Sequence, residues 1–225
     1  MSEDRAFHDN IMPDRTRART QDCVAMGDAR DAALVQNTRV DPGVDERVKQ
    51  AMAGLEAGGD RGYIGEPVSQ LEHALQCAAL AQAAHATPAE VVAALFHDIG
   101  HLIAPAGALE MDGLGIVEHE HVGALWLSAL GFVPAVCTLV ASHVDAKRYL
   151  AQRKPGYHDA LSEASRGTLA FQGGPMTEAQ ARAFETDPLF ASKIRLRMWD
   201  EAAKWPDRNV PALATYASLI RAHME

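Results

Sequence analysis

Helix-start signals recur along this chain of 225 residues, whereas the alternating apolar and polar residues typical of strands are nearly absent. The segment Thr87-Pro88-Ala89-Glu90 combines a capping residue, a proline at the first helical position and a glutamate three residues after the cap. The apolar run that follows, residues 91–96, suits a helix buried in a core. Because strand signals are scarce, an all-α fold is predicted.

The remaining helices are predicted from the same kinds of signal. Asp41 as N-cap and Pro42 begin a first helix that ends at Gly58-Gly59, and Pro67 begins a second helix. Further helices are expected over about 117–130, 134–149, 177–184, 188–204 and 211–225. The expected fold is a helical bundle of seven to nine helices, and residues 154–175 are interpreted as a functional loop because of their serines and glycines.

Length and composition favour one main domain. The chain has a mass of 24.2 kDa and 48% hydrophobic residues, enough to form a sizeable core over residues 41–225. Residues 1–40 mix charges without periodicity, so they are predicted to be a flexible or loosely docked extension. They lack a secretory apolar run, and Cys23, Cys77 and Cys137 follow no disulfide or zinc spacing. A cytoplasmic protein with idle thiols is expected.

Charge and apolar patterning also bear on partners. A formal net charge of -9 argues against a nucleic-acid partner, because phosphate backbones require a basic surface. An anionic ligand must therefore be bound by local positive charge. The apolar stretch 124–144 is interrupted by Gly131 and Pro134, so two buried helices are predicted there and no membrane span.

Three segments each place a potential metal ligand one helical turn from a residue that can contact an anion. These pairs are His97 with His101, His143 with Lys147, and Asp200 with Arg197. Residues three or four apart share a helix face, so each segment can direct both groups to the same place. The pattern predicts a metal centre beneath an anion pocket.

The His97-Asp98 pair suggests two metal ions. Adjacent residues on a helix point about a hundred degrees apart, so His97 can reach one ion while the two oxygens of Asp98 bridge to a second. Other candidate ligands, each also open to interpretation as a core or cap residue, form an ordered series along the chain: His73, His119, His121, His143 and Asp200. The intervals favour His119 over His121.

This series resembles the HD-domain superfamily, whose minimal pattern is matched by His73, His97-Asp98 and Asp200. The segment from Tyr63 to His73 further resembles the mixed-valent di-iron organophosphonate oxygenases of that superfamily. The resemblance implies one iron held by His73, His97, Asp98 and Asp200, and a second held by Asp98, His119 and His143. It also implies that Tyr63 occupies an open iron position in the resting enzyme, with Glu66 as its hydrogen-bond partner.

The resemblance further implies that His101, Lys147, Ser165 and Arg197 bind the phosphonate, His101 also serving as a catalytic residue. Ser162 stays an alternative to Ser165. The implied substrate is an (R)-1-hydroxy-2-(amino or trimethylammonio)ethylphosphonate, oxidised by O2 at an Fe(II)/Fe(III) pair to phosphate and glycine or glycine betaine. A trimethylammonium group would favour an aromatic face. The candidates for such a face are equally available for core packing: Tyr157, Phe171, Phe190 and Trp199.

Three other functions stay open at this stage. One is an HD-type phosphohydrolase that uses Mn or Mg and water to cleave a nucleotide or another phosphate ester. A second is the inositol oxygenase type of di-iron HD enzyme, which the anion set around Lys147 and Arg197 makes a poorer match. The third is a degenerate HD domain that binds a phosphorylated effector without chemistry, which would not require a complete set of six ligands.

Overall fold

The computed structural model of the chain describes residues 43–59 and 61–225, which contain eleven α-helices and one 3₁₀ turn. In chain order the helices are α1 Val44–Glu56, α2 Gln70–Ala83, α3 Pro88–Phe96, α4 Gly100–Ile103, α5 His119–Ala129, α6 Pro134–Arg153, α7 Tyr157–Ala160, α8 Glu163–Phe171, α9 Glu178–Glu185, α10 Phe190–Ala202 and α11 Ala217–Arg221, with the 3₁₀ turn Leu213–Tyr216 before α11. Eight of them have eight residues or more, so the predicted all-α bundle is confirmed. The predictions for residues 1–40, Cys23 included, and for Asp41 and Pro42 lie outside the described residues.

Capping boxes begin three of the helices. In α3, Thr87 accepts a hydrogen bond from the Glu90 backbone and the Glu90 side chain accepts one from the Thr87 N–H, as the sequence predicts. The same reciprocal bonds join Ser69 to Glu72 at the start of α2. The predicted start of α2 at Pro67 is therefore wrong by three residues, because Ser69 and not the proline satisfies the free N–H groups.

The core lies where α6 packs against α3, α5 and α10, while α2 packs against α3 and α10. The apolar run of α3 is buried along its whole length. Large side chains from five other elements join it in one cluster: Leu55, Leu127, Leu139, Leu196 and Tyr216. This packing brings the inner faces of α2, α5, α6 and α10 to the C-terminal end of α3.

The apolar stretch 124–144 is divided between α5 and α6, as predicted, with the break at Gly131, whose φ is +83°. Glycine adopts this left-handed conformation without steric cost. No helix in the described part of the chain combines the length and the apolar character needed to span a bilayer.

Two of the predicted element assignments are wrong. Residues 154–175 are not a loop, because they contain α7 and α8, and the Ser162 hydroxyl caps α8 by accepting from the Ser165 N–H. The C-terminal helix is shorter than predicted and ends at Arg221. The residues after it bond to the α5–α6 connection, where the Glu225 N–H donates to the Gly131 carbonyl over 2.7 Å. These bonds replace further helical turns.

Candidate metal centre and anion pocket

The turn that carries His97 and Asp98 is brought against α5 by a close contact between two glycines. A Cβ atom on Gly100 would overlap the His119 carbonyl oxygen, and a Cβ on Gly123 would lie 3.2 Å from the Gly100 nitrogen. Glu118, just before His119, adopts a left-handed φ of +56°. Such strain is found where a surrounding structure fixes a functional residue. The glycine pair therefore sets the distance between the His97-Asp98 turn and His119.

We expect Gly100→Ala to lower the free energy of unfolding by about 1–3 kcal/mol, the usual range for overpacking, and to reduce the metal content. The added methyl group must push α4 away from α5, and with it Asp98 away from His119. Denaturant unfolding and metal analysis of the purified protein would test this. Gly62→Ala is the matched control, because a Cβ there has no neighbour within 4 Å. Equal metal content in both variants would contradict this account.

The first group of facing polar atoms comes from α2, the His97-Asp98 turn and α10. His73 Nε2 lies 3.2 Å from His97 Nε2 and 3.3 Å from Asp200 Oδ1. His97 Nε2 lies 3.2 Å from Asp98 Oδ2. All three of His73, His97 and Asp200 are almost fully buried. Four candidate ligands that are up to 127 residues apart in sequence, 73 to 200, thus converge on one point.

The second group is formed by α5, α6 and the other oxygen of Asp98. His119 Nε2 and His143 Nε2 are 3.0 Å apart, and each lies 3.3 Å from Asp98 Oδ1. The two oxygens of Asp98 therefore face different histidine pairs: Oδ2 faces His73 and His97, and Oδ1 faces His119 and His143. Asp98 is placed as a carboxylate shared by two neighbouring positions.

Backbone contacts orient all four imidazoles in the same way. Nδ1 of each ring contacts a carbonyl oxygen: Ala203 for His73, Ala94 for His97, Ile116 for His119 and Val140 for His143, at 2.8–3.2 Å. A neutral ring that donates from Nδ1 carries a lone pair on Nε2. In each pair two lone pairs then face each other, and Asp200 Oδ1 is buried without a hydrogen-bond partner. Only positive charge between these atoms can satisfy them.

The closeness of these buried carboxylates and imidazoles also shifts their pKa values. Burial alone would raise the pKa of Asp98, but the surrounding imidazoles, His97 above all, outweigh burial and hold that pKa well below its usual range. Burial would likewise raise the pKa of Asp200, yet Arg197 and the facing histidines hold it well below its usual range. Both carboxylates are therefore anionic. Asp98 and Asp200 outweigh the burial of His97 and raise its pKa, so the cluster favours a proton or a metal cation at this position.

The donor set fits a pair of divalent or trivalent metal ions. Two ligands that share a cation at about 2.1 Å lie roughly 3.0–3.4 Å apart, which matches the shortest spacings within both groups. Two pairs in the first group are wider, at 3.7 Å for His73–Asp98 and 3.8 Å for His97–Asp200. Imidazole and carboxylate donors suit iron, manganese and zinc. Cys77 Sγ also lies within 4.8 Å of the ligand nitrogens of His73 and His97. Burial, with Asp200 and Asp98, raises the pKa of the Cys77 thiol, which keeps it neutral and a weak ligand.

A cavity with a volume of about 60 Å³ lies directly over this centre. Its lining includes Asp98, His119, His143 and Asp200 from the centre together with all four residues expected to bind the anion: His101, Lys147, Ser165 and Arg197. Lys147 and Arg197 are almost fully buried, although most charged side chains are exposed. The structure therefore places the predicted anion pocket next to the predicted metal centre.

Lys147 and His101 present different kinds of donor to the cavity. Burial, followed by the nearby Arg197, lowers the pKa of Lys147 to about 7, and its Nζ donates to Thr168 Oγ1 over 2.8 Å. His101 Nδ1 accepts a hydrogen bond from the Ile116 N–H, so its neutral ring carries a proton on Nε2. Burial, followed by His119, lowers the pKa of His101 well below its ordinary value. His101 is thus a neutral donor beside a titratable cation.

Arg197 is held by three protein groups. Its Nε donates to the Tyr157 hydroxyl over 3.0 Å, and its terminal nitrogens donate to Asp200 Oδ2 and Glu201 Oε1. A guanidinium has five N–H groups, so two are left for a ligand in the cavity. Arg197 therefore orients Asp200 in addition to facing the anion pocket.

The structure separates the two pairs of alternatives. His121 has a side chain that is 57% exposed and contacts Glu120, whereas His119 faces Asp98. Ser165 lines the cavity, whereas the Ser162 hydroxyl caps α8. The intervals in the sequence therefore indicated the residues that reach the site.

Glu66 does not make the contact that the sequence suggested. Among the described residues there is no hydrogen bond between the Tyr63 hydroxyl and Glu66, whose Oε1 instead accepts from Lys204 Nζ over 2.8 Å. A charged ammonium is a stronger donor to a carboxylate than a phenol is. Tyr63 stacks its ring on His73 with centroids 3.9 Å apart. The sequence did not indicate Lys204, Glu201 and Thr168, whose only signal is proximity to residues already noted. Tyr157 was predicted only as a candidate aromatic face, whereas its hydroxyl accepts a hydrogen bond from Arg197.

Comparison with known proteins agrees with this geometry. The HD domain family matches residues 71–171, from α2 through α8. A 1-hydroxy-2-(trimethylamino)ethylphosphonate dioxygenase (glycine-betaine-forming) of Leisingera caerulea is 41% identical over 164 residues, 72% of this chain and 83% of the relative. A hydroxymethylphosphonate dioxygenase of Gimesia maris is 40% identical over 164 residues, 72% of this chain and 81% of the relative. An uncharacterised protein of Acanthamoeba polyphaga mimivirus is 38% identical over 163 residues, 72% of this chain and 74% of that protein.

The chain belongs to the HD-domain family, within the group that includes these phosphonate dioxygenases. The family and the class of enzyme predicted from the sequence, an HD-domain oxygenase, are confirmed. The two relatives act, by their names, on phosphonates that differ in the substituent on the hydroxyl-bearing carbon, which is a trimethylaminomethyl group in one and hydrogen in the other. The substituent on the hydroxyl-bearing carbon is therefore the part of the substrate whose identity has to be determined for this chain.

Proposed function

We propose that this protein is a di-iron oxygenase that uses O2 to cleave the carbon–phosphorus bond of a 1-hydroxyalkylphosphonate. The observation that carries the proposal is the position of Asp98, shared by two histidine pairs beneath a cationic cavity. The proposed substrates include the 2-amino and 2-trimethylammonio compounds that the sequence suggested and the hydroxymethyl compound named for the Gimesia maris relative. All of them present a hydroxyl group and a phosphonate on one carbon.

The overall reaction balances with O2 as the only oxidant. A substrate R–CH(OH)–PO3H2 and one O2 give R–COOH and H3PO4, so the carbon–phosphorus bond breaks and the carbon is oxidised to the acid level. Four electrons pass from the substrate to oxygen. The acid is glycine or glycine betaine for the nitrogen-containing substrates and formic acid when R is hydrogen.

Six residues would hold the two irons in this proposal: His73, His97, Asp98 and Asp200 one ion, and Asp98, His119 and His143 the other. The iron pair, when bound, would supply the activation of O2 and the acceptor for the electrons. Asp98 holds the two positions at a fixed separation. Tyr63, whose ring stacks on His73, would occupy an open iron position in the resting enzyme and would give way to substrate.

Residues from four helices would orient the substrate. Lys147 supplies positive charge, Arg197 supplies its two remaining N–H groups in a forked geometry, and Ser165 supplies a hydroxyl group, all suited to phosphonate oxygens. His101 donates from Nε2 and can hold a proton at the substrate oxygen without adding a second charge. The buried walls exclude water from the reacting carbon.

We expect kcat/KM for the phosphonate to fall as the pH rises above about 7, the pKa to which burial and Arg197 lower Lys147. Below that pH the free enzyme has Lys147 protonated and able to attract the anion, and above it the charge is lost. The pH dependence of kcat/KM reports the free enzyme. Lys147→Arg should remove this fall in kcat/KM, because a guanidinium stays protonated across the pH range of the measurement. An identical pH profile in this variant would exclude Lys147 as the cause.

Phosphate release should depend fully on oxygen. Protein prepared with ferrous iron is expected to release one phosphate for each O2 consumed and none under strict anaerobiosis. An HD-type phosphohydrolase would instead release phosphate from a nucleotide or another ester without oxygen and with Mn or Mg. Release of phosphate under anaerobic conditions would overturn the proposal. A purified protein whose metal centre does not bind iron would also overturn it.

A further inference from the structure

Glu66 lines the cavity and forms an ion pair with Lys204. Its Oε1 accepts from Lys204 Nζ over 2.8 Å, and the two side chains are only 11% and 14% exposed. Lys204 Nζ also lies 3.4 Å from Ser162 Oγ and 3.5 Å from Ser165 Oγ. Lys204 therefore links the turn before α2 to the start of α8, and Glu66 and Ser165 of these two segments line the cavity.

The other acidic residues of the cavity are also engaged. Among the described residues that line it, the acids are Glu66, Asp98 and Asp200. Asp98 is shared by the two histidine pairs, and Asp200 is bound by Arg197 on one oxygen and faces His73 and His97 with the other. A substrate ammonium group would thus find no free carboxylate in this lining.

Aromatic side chains do not compensate for that. Of the four candidates for a trimethylammonium face, Tyr157 binds Arg197 and Glu201, Trp199 lies in the main core, and Phe190 packs on Tyr149. Phe171 is half exposed. None of the four belongs to the described lining of the cavity, where Tyr63 is the aromatic residue besides histidine and is stacked on His73.

Apolar side chains from the same two segments as Glu66 and Ser165 also line the cavity and are closely packed. They are Ile64 and Ala164, together with Leu114. Gly65 has a φ of +73°, and a Cβ on it would lie 2.9 Å from the Ala164 side chain. The turn that carries Glu66 and helix α8 therefore meet without spare room. Such a wall suits a small uncharged group.

We infer that Lys204 is a specificity-determining residue, which makes the cavity select 1-hydroxyalkylphosphonates whose remaining group is uncharged. Lys204 neutralises Glu66 and repels a substrate cation that approaches the same carboxylate, since like charges in a partly buried site interact strongly. This inference rests on the proposed function and narrows its substrate class. The favoured substrates are hydroxymethylphosphonate and short alkyl homologues, oxidised to phosphate and formate or the matching carboxylic acid.

Two ligands of the same shape test the inference on the unaltered enzyme. 1-Hydroxypropylphosphonate and 2-amino-1-hydroxyethylphosphonate differ only in a terminal methyl in place of an ammonium group. We expect binding of the neutral compound to be tighter by at least about tenfold, the effect of a modest charge penalty. Calorimetry under anaerobic conditions, with iron bound, measures this without requiring turnover. Equal or tighter binding of the amino compound would overturn the inference.

Lys204→Met should reduce or invert this preference, because it frees Glu66 to pair with the ammonium group. Lys49→Met, at a side chain that is 74% exposed, is the matched control and should keep the wild-type ratio. Equal weakening of both ligands by Lys204→Met would mean that Lys204 binds the phosphonate, which also overturns the inference. If Lys204→Met fails to fold, the wild-type ratio decides.

The two proposals fail separately in these experiments. Selective binding of the neutral ligand without any oxygen-dependent release of phosphate would overturn the proposed reaction and leave the role of Lys204 standing. Oxygen-dependent turnover with a preference for the amino or trimethylammonio compound would do the opposite.

Discussion

Asp98→Ala is expected to remove both metal ions and to abolish turnover. Each oxygen of Asp98 faces a different histidine pair, so the substitution deletes one ligand from each position at once. It also leaves His119 Nε2 and His143 Nε2 facing each other without the carboxylate oxygen that lies 3.3 Å from each. We expect iron to fall from about two ions per chain to nearly none and activity to fall by more than about a hundredfold, since loss of outer partners alone costs 10–100-fold.

Metal analysis and oxygen uptake on the same preparation would measure both effects. Asp159→Ala is the control, because that carboxylate is 91% exposed and is not part of either histidine group. Asp98→Asn separates charge from shape: the amide keeps the size of the side chain but loses the anion that favours the cations. A variant of Asp98 that retained two irons would contradict the shared position assigned to this residue.

Much of the fold could be predicted because helix starts are local. Thr87 and Glu90 form their capping box within four residues, so the sequence contains the whole signal for the start of α3. The start of α2 was misplaced at Pro67, although Ser69 and Glu72 carry the same signal. The presence of proline drew the prediction to the wrong residue, and both capping partners were in the sequence.

Longer-range effects limited the rest of the fold. Residues 163–171 form α8 in spite of a serine and a glycine, because Leu169 is buried and Gly167 lets Leu114 pack closely against the helix. The contact between Leu114 and Gly167 joins segments about fifty residues apart, and a local sequence pattern cannot show it. The shortened C-terminal helix has a similar cause, since its last residues bond to the α5–α6 connection.

The residues of the site also differ in how far the local sequence can predict them. Pairs within one helical turn, such as His143 and Lys147, could be recognised because helix geometry places both on one face. The role of Lys204 could not, since its partner Glu66 is 138 residues away. The contact between Gly100 and α5 was equally hidden, because a glycine that permits a close approach looks like any other glycine in a sequence. Residues that orient the site are thus harder to predict than residues that form it.

Arg197→Ala is expected to destabilise the protein by about 3–5 kcal/mol, the range for breaking a buried ion pair by removing one partner. The guanidinium is 4% exposed and binds Asp200, Glu201 and Tyr157. Its loss leaves the Asp200 carboxylate buried with both oxygens lacking a hydrogen-bond donor. If Arg197 only bound the phosphonate, its loss would weaken substrate binding and leave iron in place. Its contact with Asp200 makes loss of iron part of the expected result.

Denaturant unfolding of the metal-free protein separates the two roles of Arg197. The structural role predicts that Arg197→Ala has a lower free energy of unfolding than the wild type even without ligand. The anion-binding role predicts a raised KM in the fraction of the variant that still binds iron. Arg182→Ala, at a side chain that is 73% exposed, should leave both quantities nearly unchanged. Arg197→Lys keeps a positive charge but lacks the fork that reaches three partners, so it should be intermediate in stability. If Arg197→Ala unfolded at the wild-type denaturant concentration, the guanidinium would not be what holds Asp200 in place.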